Sequence, residues 1–460
     1  MTPDAGQPPA PSPSAPQFLR RFDWSRPVAL GALITFMALC EIGLLIYVGS
    51  HIGAAALGIG FVTALIPVPV LVASFLWLDR YEPEPVRYLL FCFAWGATVA
   101  AGFALLINTE VARAFKRAGI SESVVAVITA PATEETLKAL GPILLFVVFR
   151  RRAFSGLVDG IVYCGLSATG FAMTENVLYL GGYGYAANAD KGGVAAGVAG
   201  VIGIFIARIL FSGFAHPLFT ALTGIGLGVA ARTPDRRVKV LAPLAGLLAA
   251  MILHGSWNLM STLAVDRNNY YMLYGYFSVM VPIFLGMVGL ALWLRSSEGL
   301  LTQRVLPAYV RAGWFTPPEL ASLATIGRRQ SARAWAGRVG GKAAAAAMRG
   351  FQFAATQLAL LRDSIDRGVV ADSADAARAV AEEKRLLEAI SGYRSVFTGR
   401  DPMTPPARWD GARYYLTFPD GMVRVVPQPA EPVAPVPVFL APPAPWGAPP
   451  GYPGPAPIGR

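Results

Sequence analysis

The sequence predicts an all-α polytopic membrane protein with about eight transmembrane helices, followed by a helical region and Pro-rich tails. Three observations carry this. Of 460 residues, 54% are hydrophobic and only 15% are charged, with a mean hydropathy of +0.49, a balance rare in soluble chains of this length. Apolar runs long enough to cross a hydrocarbon core of ~30 Å recur through residue 295. Lys and Arg, which give a net charge of +11, gather at the ends of those runs and in the last third. That distribution sets membrane topology and argues against a nucleic-acid partner.

The chain opens on 1–24, a tail rich in Pro, Ser and Ala that lacks the periodicity of a folded element. Arg20, Arg21 and Arg26 then precede the run 27–49, which is too long for a signal-peptide core and reads as an uncleaved first helix. Further runs follow at 52–78, 87–108, 122–149, 157–181, 198–231, 239–264 and 272–294. If all eight cross, the basic groups before the first helix, at Arg87, at 150–152, at Arg232, Arg236, Arg237 and Lys239, and from Arg295 onward share one side. Both termini are then cytoplasmic, in a multi-pass cytoplasmic (inner) membrane protein. Arg113, Lys116 and Arg117 fall on the other side, where a short amphipathic surface helix would accommodate them. Pro217 interrupts the run 198–231, so a split there is the alternative topology.

Residues 25–295 therefore form the membrane domain. Residues 296–398 are rich in Ala and Arg, with helix-like stretches at 316–337, 341–367 and 373–393, and read as a helical cytoplasmic region. From 399 to 460 the composition turns to Pro, Ala and Gly and predicts a disordered tail. Cys40, Cys92 and Cys164 lie inside apolar runs without CxxC spacing and read as packing residues.

The polar residues inside the apolar runs carry the chemistry. Glu134, Glu135 and Lys138 sit in the run 122–149, although a charge near the bilayer centre costs at least ~2.5–3.5 kcal/mol on insertion scales. Glu134 and Lys138 share a helix face; Glu135 is rotated by about 100° toward a neighbouring helix. Glu175 and Asn176, His216, and His254 with Asn258 occupy later runs, and two of the three histidines of the chain are among them. His254 and Asn258, four apart, share a face and a possible hydrogen bond or ligand. A carboxylate in low dielectric makes a general base, and His, Asn or a metal stabilises an oxyanion. Three carboxylates and two imidazoles also suit zinc. Glu41 has no such company and reads as structural, and Arg208 and Lys138 offset the negative charge of the cluster.

Glu134-Glu135-x-x-Lys138, Phe171-x-x-x-Glu175, His216 in its small-residue helix and His254-x-x-x-Asn258 together resemble the successive motifs of the PrsW family of intramembrane proteases, over about residues 25–295. That family is related to the CPBP group of CAAX-prenyl endopeptidases, in which the second motif ends in His where this chain has Glu175. The resemblance implies an intramembrane endopeptidase cleaving a membrane-anchored protein, such as an anti-sigma factor. It places catalysis on Glu134, Glu135, Glu175, His216, His254 and Asn258. If the enzyme is metal-dependent, Glu135, Glu175, His216 and His254 are the zinc ligands; a metal-free glutamate mechanism is the other form. The residues alone leave two further classes open. One is a proton- or cation-coupled transporter using the same Glu/His cluster, the other a non-catalytic membrane scaffold working through the C-terminal region.

Overall fold

The computed structural model describes residues 25–268, 270–370, 373–398, 400, 407–417, 423–427 and 438–440. The tail expected over 1–24 lies outside them. Helix α1 (Ser25–Ile52) turns into α2 (Ala54–Leu65) at Gly53, whose φ of 84° suits glycine alone, and α3 (Val68–Leu78) follows Pro67. Helix α4 (Val86–Trp95), a π-helical turn (Gly96–Ala100) and α5 (Ala101–Arg117) run on as one stretch. A short α6 (Glu122–Val124) and a π-helical turn (Val125–Thr129) lead into α7 (Ala130–Ala153). Next come α8 (Leu157–Val177), a π-helical segment (Leu178–Ala186), α9 (Ala187–Phe205), another (Ile206–Phe211), and α10 (Ala215–Ala231). Then α11 (Arg236–Asp266), α12 (Tyr270–Gly275), a π-helical turn (Tyr276–Met280) and α13 (Val281–Val305) complete the membrane region.

Among the described residues, six stretches are long and apolar enough to cross a membrane: Leu30–Ile52, Ala54–Leu78, Val86–Arg117, Leu157–Ala231, Arg236–Val265 and Tyr270–Arg311. These do not match the expected eight one for one. Helix α7 is absent from the six, since Glu134, Glu135 and Lys138 put three charges in its first turns. Leu157–Ala231, at 75 residues, is several times the ~20 residues one crossing needs. The run 198–231 is divided, as the alternative topology has it, although the break falls at 212–214 and Pro217 sits harmlessly in the first turn of α10. Arg113, Lys116 and Arg117 end the 32-residue helix Val86–Arg117 and form no separate surface helix, because no breaker separates them from the span before it.

Helix α8 is the axis of the bundle. It is largely apolar around its circumference, with Asp159 and Glu175 near its two ends, and buried along nearly its whole length, as so apolar a helix must be. Its Gly160 lies against α10 so closely that an added Cβ would fall 2.0 Å from the Gly224 carbonyl oxygen. Glycine is required there for the two backbones to touch.

Beyond α13 the chain forms α14 (Pro307–Arg311), α15 (Pro317–Ser322), α16 (Ile326–Asp366) and α17 (Ser373–Phe397). The expected break between the first two helical stretches is real: Gly341, at φ 68°, interrupts α16. Thr316 and Glu319 cap α15 reciprocally, with Thr316 N donating to Glu319 Oε2 at 2.8 Å. Phe315, Leu323, Met348, Phe351, Leu358 and Ile390 form a core with Leu301 and Leu306 from the end of α13 and just beyond, so this region is continuous with the bundle. Asp363 fastens it further, accepting from Arg232 at 3.0 Å, Arg304 at 2.8 Å and Arg367 at 2.8 Å. Burial pushes the Asp363 carboxyl up, but Arg367 and Arg232 outweigh it and hold it below the usual range. A lowered carboxylate contributes stability that is present above its unfolded pKa of about 3.9 and lost as pH falls through the folded value. Asp363→Asn is expected to cost about 1–3 kcal/mol, read as faster proteolytic release of the α14–α17 region at neutral pH, with the difference from the native chain vanishing in acid.

The sequence assigns 399–460 to a disordered tail, yet the described residues there include a four-stranded sheet: β1 (Ala407–Trp409), β2 (Arg413–Thr417), β3 (Val423–Pro427) and β4 (Val438–Leu440), ordered β3-β2-β1-β4. Strands β1, β2 and β3 pair antiparallel and β1 with β4 parallel. Composition hides a local signal. Asp410 Oδ1 accepts from Ala412 N at 2.9 Å and Arg413 N at 2.8 Å, and Gly411 takes φ 104°, an Asp-Gly hairpin turn between β-prone stretches.

Candidate active site

Four helices converge on one polar cluster inside the bundle. Helix α7 supplies Glu134, Glu135 and Lys138; α8 supplies Glu175; α10 begins beside its His216; and α11 carries His254. Glu135 and Lys138 are fully buried, and Glu134 and His254 nearly so. Lys138 Nζ donates to Glu135 Oε1 at 2.9 Å and Glu134 Oε2 at 3.4 Å, and lies 3.0 Å from His216 Nδ1. The ammonium thus pairs most closely with the neighbour three positions back, where the sequence assigns it to Glu134 alone; on a helix both spacings meet. Glu135 does reach other helices as expected. Its Oε1 faces His254 Nδ1 at 2.9 Å and its Oε2 accepts from Thr220 at 2.7 Å.

Hydrogen bonding fixes both imidazoles. An ammonium donates only, so His216 Nδ1 accepts from Lys138 and its Nε2–H donates to Glu175 Oε2 at 2.9 Å. For His254, the carboxylate of Glu135 selects Nδ1–H as the donor, and Nε2 then points its lone pair at Glu134 Oε2, 3.9 Å away. Two carboxylate–histidine pairs, Glu135 with His254 and Glu175 with His216, therefore flank Glu134. Arg208, from the π-helical turn Ile206–Phe211, binds Glu175 and donates through Nε to Asn176 Oδ1 at 3.2 Å, with its guanidinium 3.6 Å from the centroid of the Tyr179 ring. Burying three carboxylates is tolerable because Lys138 and Arg208 bring the compensating charge.

Glu134, His216 and His254 offer ligand atoms all within 4.8 Å of one another. The trio differs from the expected metal set of Glu135, Glu175, His216 and His254: both oxygens of Glu135 are taken by Lys138, His254 and Thr220, and Oε2 of Glu175 by Arg208 and His216. Two histidines and a carboxylate, each imidazole oriented by a further carboxylate, are the donor types of a catalytic zinc site, and His216 would join it through Nδ1 once Lys138 gives up that lone pair. Asn258 does not join the cluster. Its Nδ2 donates to Ala126 O at 2.8 Å, anchoring the π-helical turn ahead of α7 rather than bonding His254, because that turn presents a carbonyl to α11.

Sequence reasoning missed Asn108, which donates to Glu134 Oε1 at 3.2 Å, and Thr220. Thr220 had a signal, standing one turn after His216 on the same face. A cavity of about 730 Å³ adjoins the cluster, with Glu134, Asn108, Glu175 and Phe171 on its inner wall and His51 and Asp190 among its other lining residues. Glu135, Lys138 and His254 lie behind that wall.

A family model described as "PrsW family intramembrane metalloprotease" matches residues 84–287. The protein named Protease PrsW of Bacillus subtilis (strain 168) is 31% identical over 208 residues, 45% of this chain and 84% of that one. Its namesake in Geobacillus kaustophilus (strain HTA426) is 28% identical over 206 residues, 45% and 80% of the two chains. The one in Clostridioides difficile (strain 630) is 35% identical over 118 residues, 25% and 48%. No solved structure matches the chain significantly.

Proposed function

We propose, from the premise that this multi-pass membrane chain belongs to the PrsW protease family and is an intramembrane peptidase, that Glu134 activates the water that cleaves a membrane-anchored protein lodged in the adjoining cavity. The observation that carries the assignment is that Glu134 faces the cavity while Glu135 is sealed behind it. Glu134 takes the proton of the attacking water and returns it to the leaving amine. Asn108 orients its carboxylate from the same wall, and Lys138 offsets its charge. Glu135 and Glu175 act through the histidines, holding His254 and His216 in fixed tautomers.

A metal ion held by Glu134, His216 and His254, zinc by the character of the donors, would supply a Lewis acid for the scissile carbonyl and lower the pKa of the water. With Glu134 then a ligand, the role of base would pass to Glu175, the other cavity-lining carboxylate within the cluster, through the oxygen that Arg208 and His216 do not hold.

The substrate we infer is a single-pass protein such as an anti-sigma factor, cut in the outer half of the cytoplasmic membrane. Sixteen residues of α10 separate His216 from Arg232, about 24 Å of helix, and Arg232 binds Asp363 of the C-terminal region. With the basic segments taken as cytoplasmic, that region and both termini lie in the cytoplasm and the cluster toward the opposite face.

The test compares peptide cleavage, metal content and proton or cation flux in proteoliposomes of the native chain and Glu134→Gln. Cleavage lost together with stoichiometric metal supports the zinc form. Cleavage lost without any metal having been present supports the glutamate-only form. Flux that depends on Glu134, with no cleavage of any single-pass substrate, would overturn the protease reading for this site in favour of transport.

A further inference from the structure

A second carboxylate cluster stands about 24 Å from Glu175 along α8, sixteen residues toward its start. Asp79 follows α3, Glu84 lies in the loop before α4, and Asp159 is in the first turn of α8. Their exposures are 3%, 8% and 2%, and their ligand oxygens all lie within 4.8 Å of one another. One oxygen of each is held by a protein donor: Asp79 Oδ2 by Glu84 N at 2.8 Å, Glu84 Oε2 by Tyr163 at 2.5 Å, and Asp159 Oδ2 by Gly156 N at 3.0 Å and Ser155 Oγ at 2.9 Å. Glu84 and Asp159 are also within hydrogen-bonding reach of each other.

Charge is what separates this cluster from the active site. There Lys138 and Arg208 pair with the buried carboxylates; here, among the described residues, no Lys, Arg or His forms an ion pair with any of the three. Burial, with the charge of Asp159 adding to it, pushes the Asp79 and Glu84 carboxyls up, the direction that follows from enclosing carboxylates without a cation beside them. Independently, Asp79 Oδ1 is enclosed and accepts no hydrogen bond, and a buried carboxylate oxygen left bare is costly. The donors are all oxygen, the preference of hard cations, and oxygens across a cation bound at 2.3–2.6 Å stand up to ~5 Å apart.

We propose that Asp79, Glu84 and Asp159 form a binding site for a hard divalent cation of the calcium or magnesium class, distinct from the active site. The cation ties the loop 79–85 to the start of α8. The same loop is gripped from the C-terminal region, where buried Arg329 donates to Tyr81 O at 3.4 Å and lies 4.8 Å from the Tyr81 ring centroid. Loading the site therefore stiffens the joint between the bundle and that region.

The test uses the full chain in detergent after chelation, titrated separately with calcium, magnesium and manganese, and reads calorimetric binding and thermal unfolding. The native chain and His254→Ala are expected to bind at least one of the three with a rise of several degrees in melting temperature, and Asp79→Asn to lose both responses. Should Asp79→Asn not fold, Glu84→Gln takes its place, and the native titration stands without either variant. Absence of any cation response in the native chain, or an unaltered one in Asp79→Asn, overturns the proposal. Absence combined with an Asp79→Asn chain more stable than native identifies a proton-sharing cluster instead.

Discussion

Glu134→Gln is expected to lower the cleavage rate by about 10²–10⁴-fold, the usual range for loss of a positioned base, with little change in KM. The amide still accepts from Asn108 and still lines the cavity, so substrate seating survives while proton transfer does not. Charge balance survives too, because Lys138 keeps its 2.9 Å contact with Glu135. Single-turnover cleavage of a single-pass substrate in proteoliposomes is the measurement, and a variant retaining a tenth or more of native activity would remove Glu134 from the role of base or ligand. Glu135→Gln should also be inactive for a different reason. It frees His254 to rotate and takes away the closer partner of Lys138, so its melting temperature falls along with its activity.

Lys138→Met is expected to be the most damaging single substitution for stability, at about 3–5 kcal/mol, the cost of stripping a buried charge of its partner. The ammonium is fully buried, lies 4.0 Å from the Phe171 ring centroid and touches two carboxylates and His216. Its removal leaves Glu134 and Glu135 facing each other without compensation. The double variant Lys138→Met with Glu135→Gln should recover much of the loss, which thermal unfolding of the four chains would show as a coupling energy of the opposite sign to the single effects. Equal melting temperatures for Lys138→Met and the native chain would contradict this account of the cluster.

Much of this was legible from hydropathy and spacing. The helical membrane class follows from apolar runs, and the convergence of Glu134, Glu135, Glu175, His216 and His254 follows from how little else in those runs is polar. Helical geometry also said that Glu135 would look to other helices, and it does so toward His254 and Thr220. What periodicity cannot give is depth behind a wall. Glu134 and Glu135 differ by one residue, and only the packing of α7 against α10 and α11 decides that the first meets the cavity and the second does not. Asn258 misled for a related reason: the spacing from His254 is right, but the π-helical turn at 125–129 offered the amide a carbonyl, and such turns leave no mark in composition. The sheet after residue 407 was masked by its prolines, and the acidic cluster at Asp79 joins residues eighty positions apart.

The backbone contact between Gly160 and Gly224 bears on how the enzyme meets membranes of different thickness. Glu175 stands near the end of α8 away from that contact and His216 at the start of α10, about two turns before Gly224, so a sliding of one helix past the other is blocked where the carbonyl of Gly224 fills the place of a missing Cβ. Lipids with shorter or longer acyl chains tilt and strain whole helices at fractions of a kcal/mol per Å of mismatch, too little to shear two rods in backbone contact. Acyl-chain length should therefore change how readily a substrate helix enters, seen in KM, and leave the rate of the bound complex nearly constant. Replacing Gly224 with alanine would loosen that register and make the chemical step itself sensitive to the host bilayer.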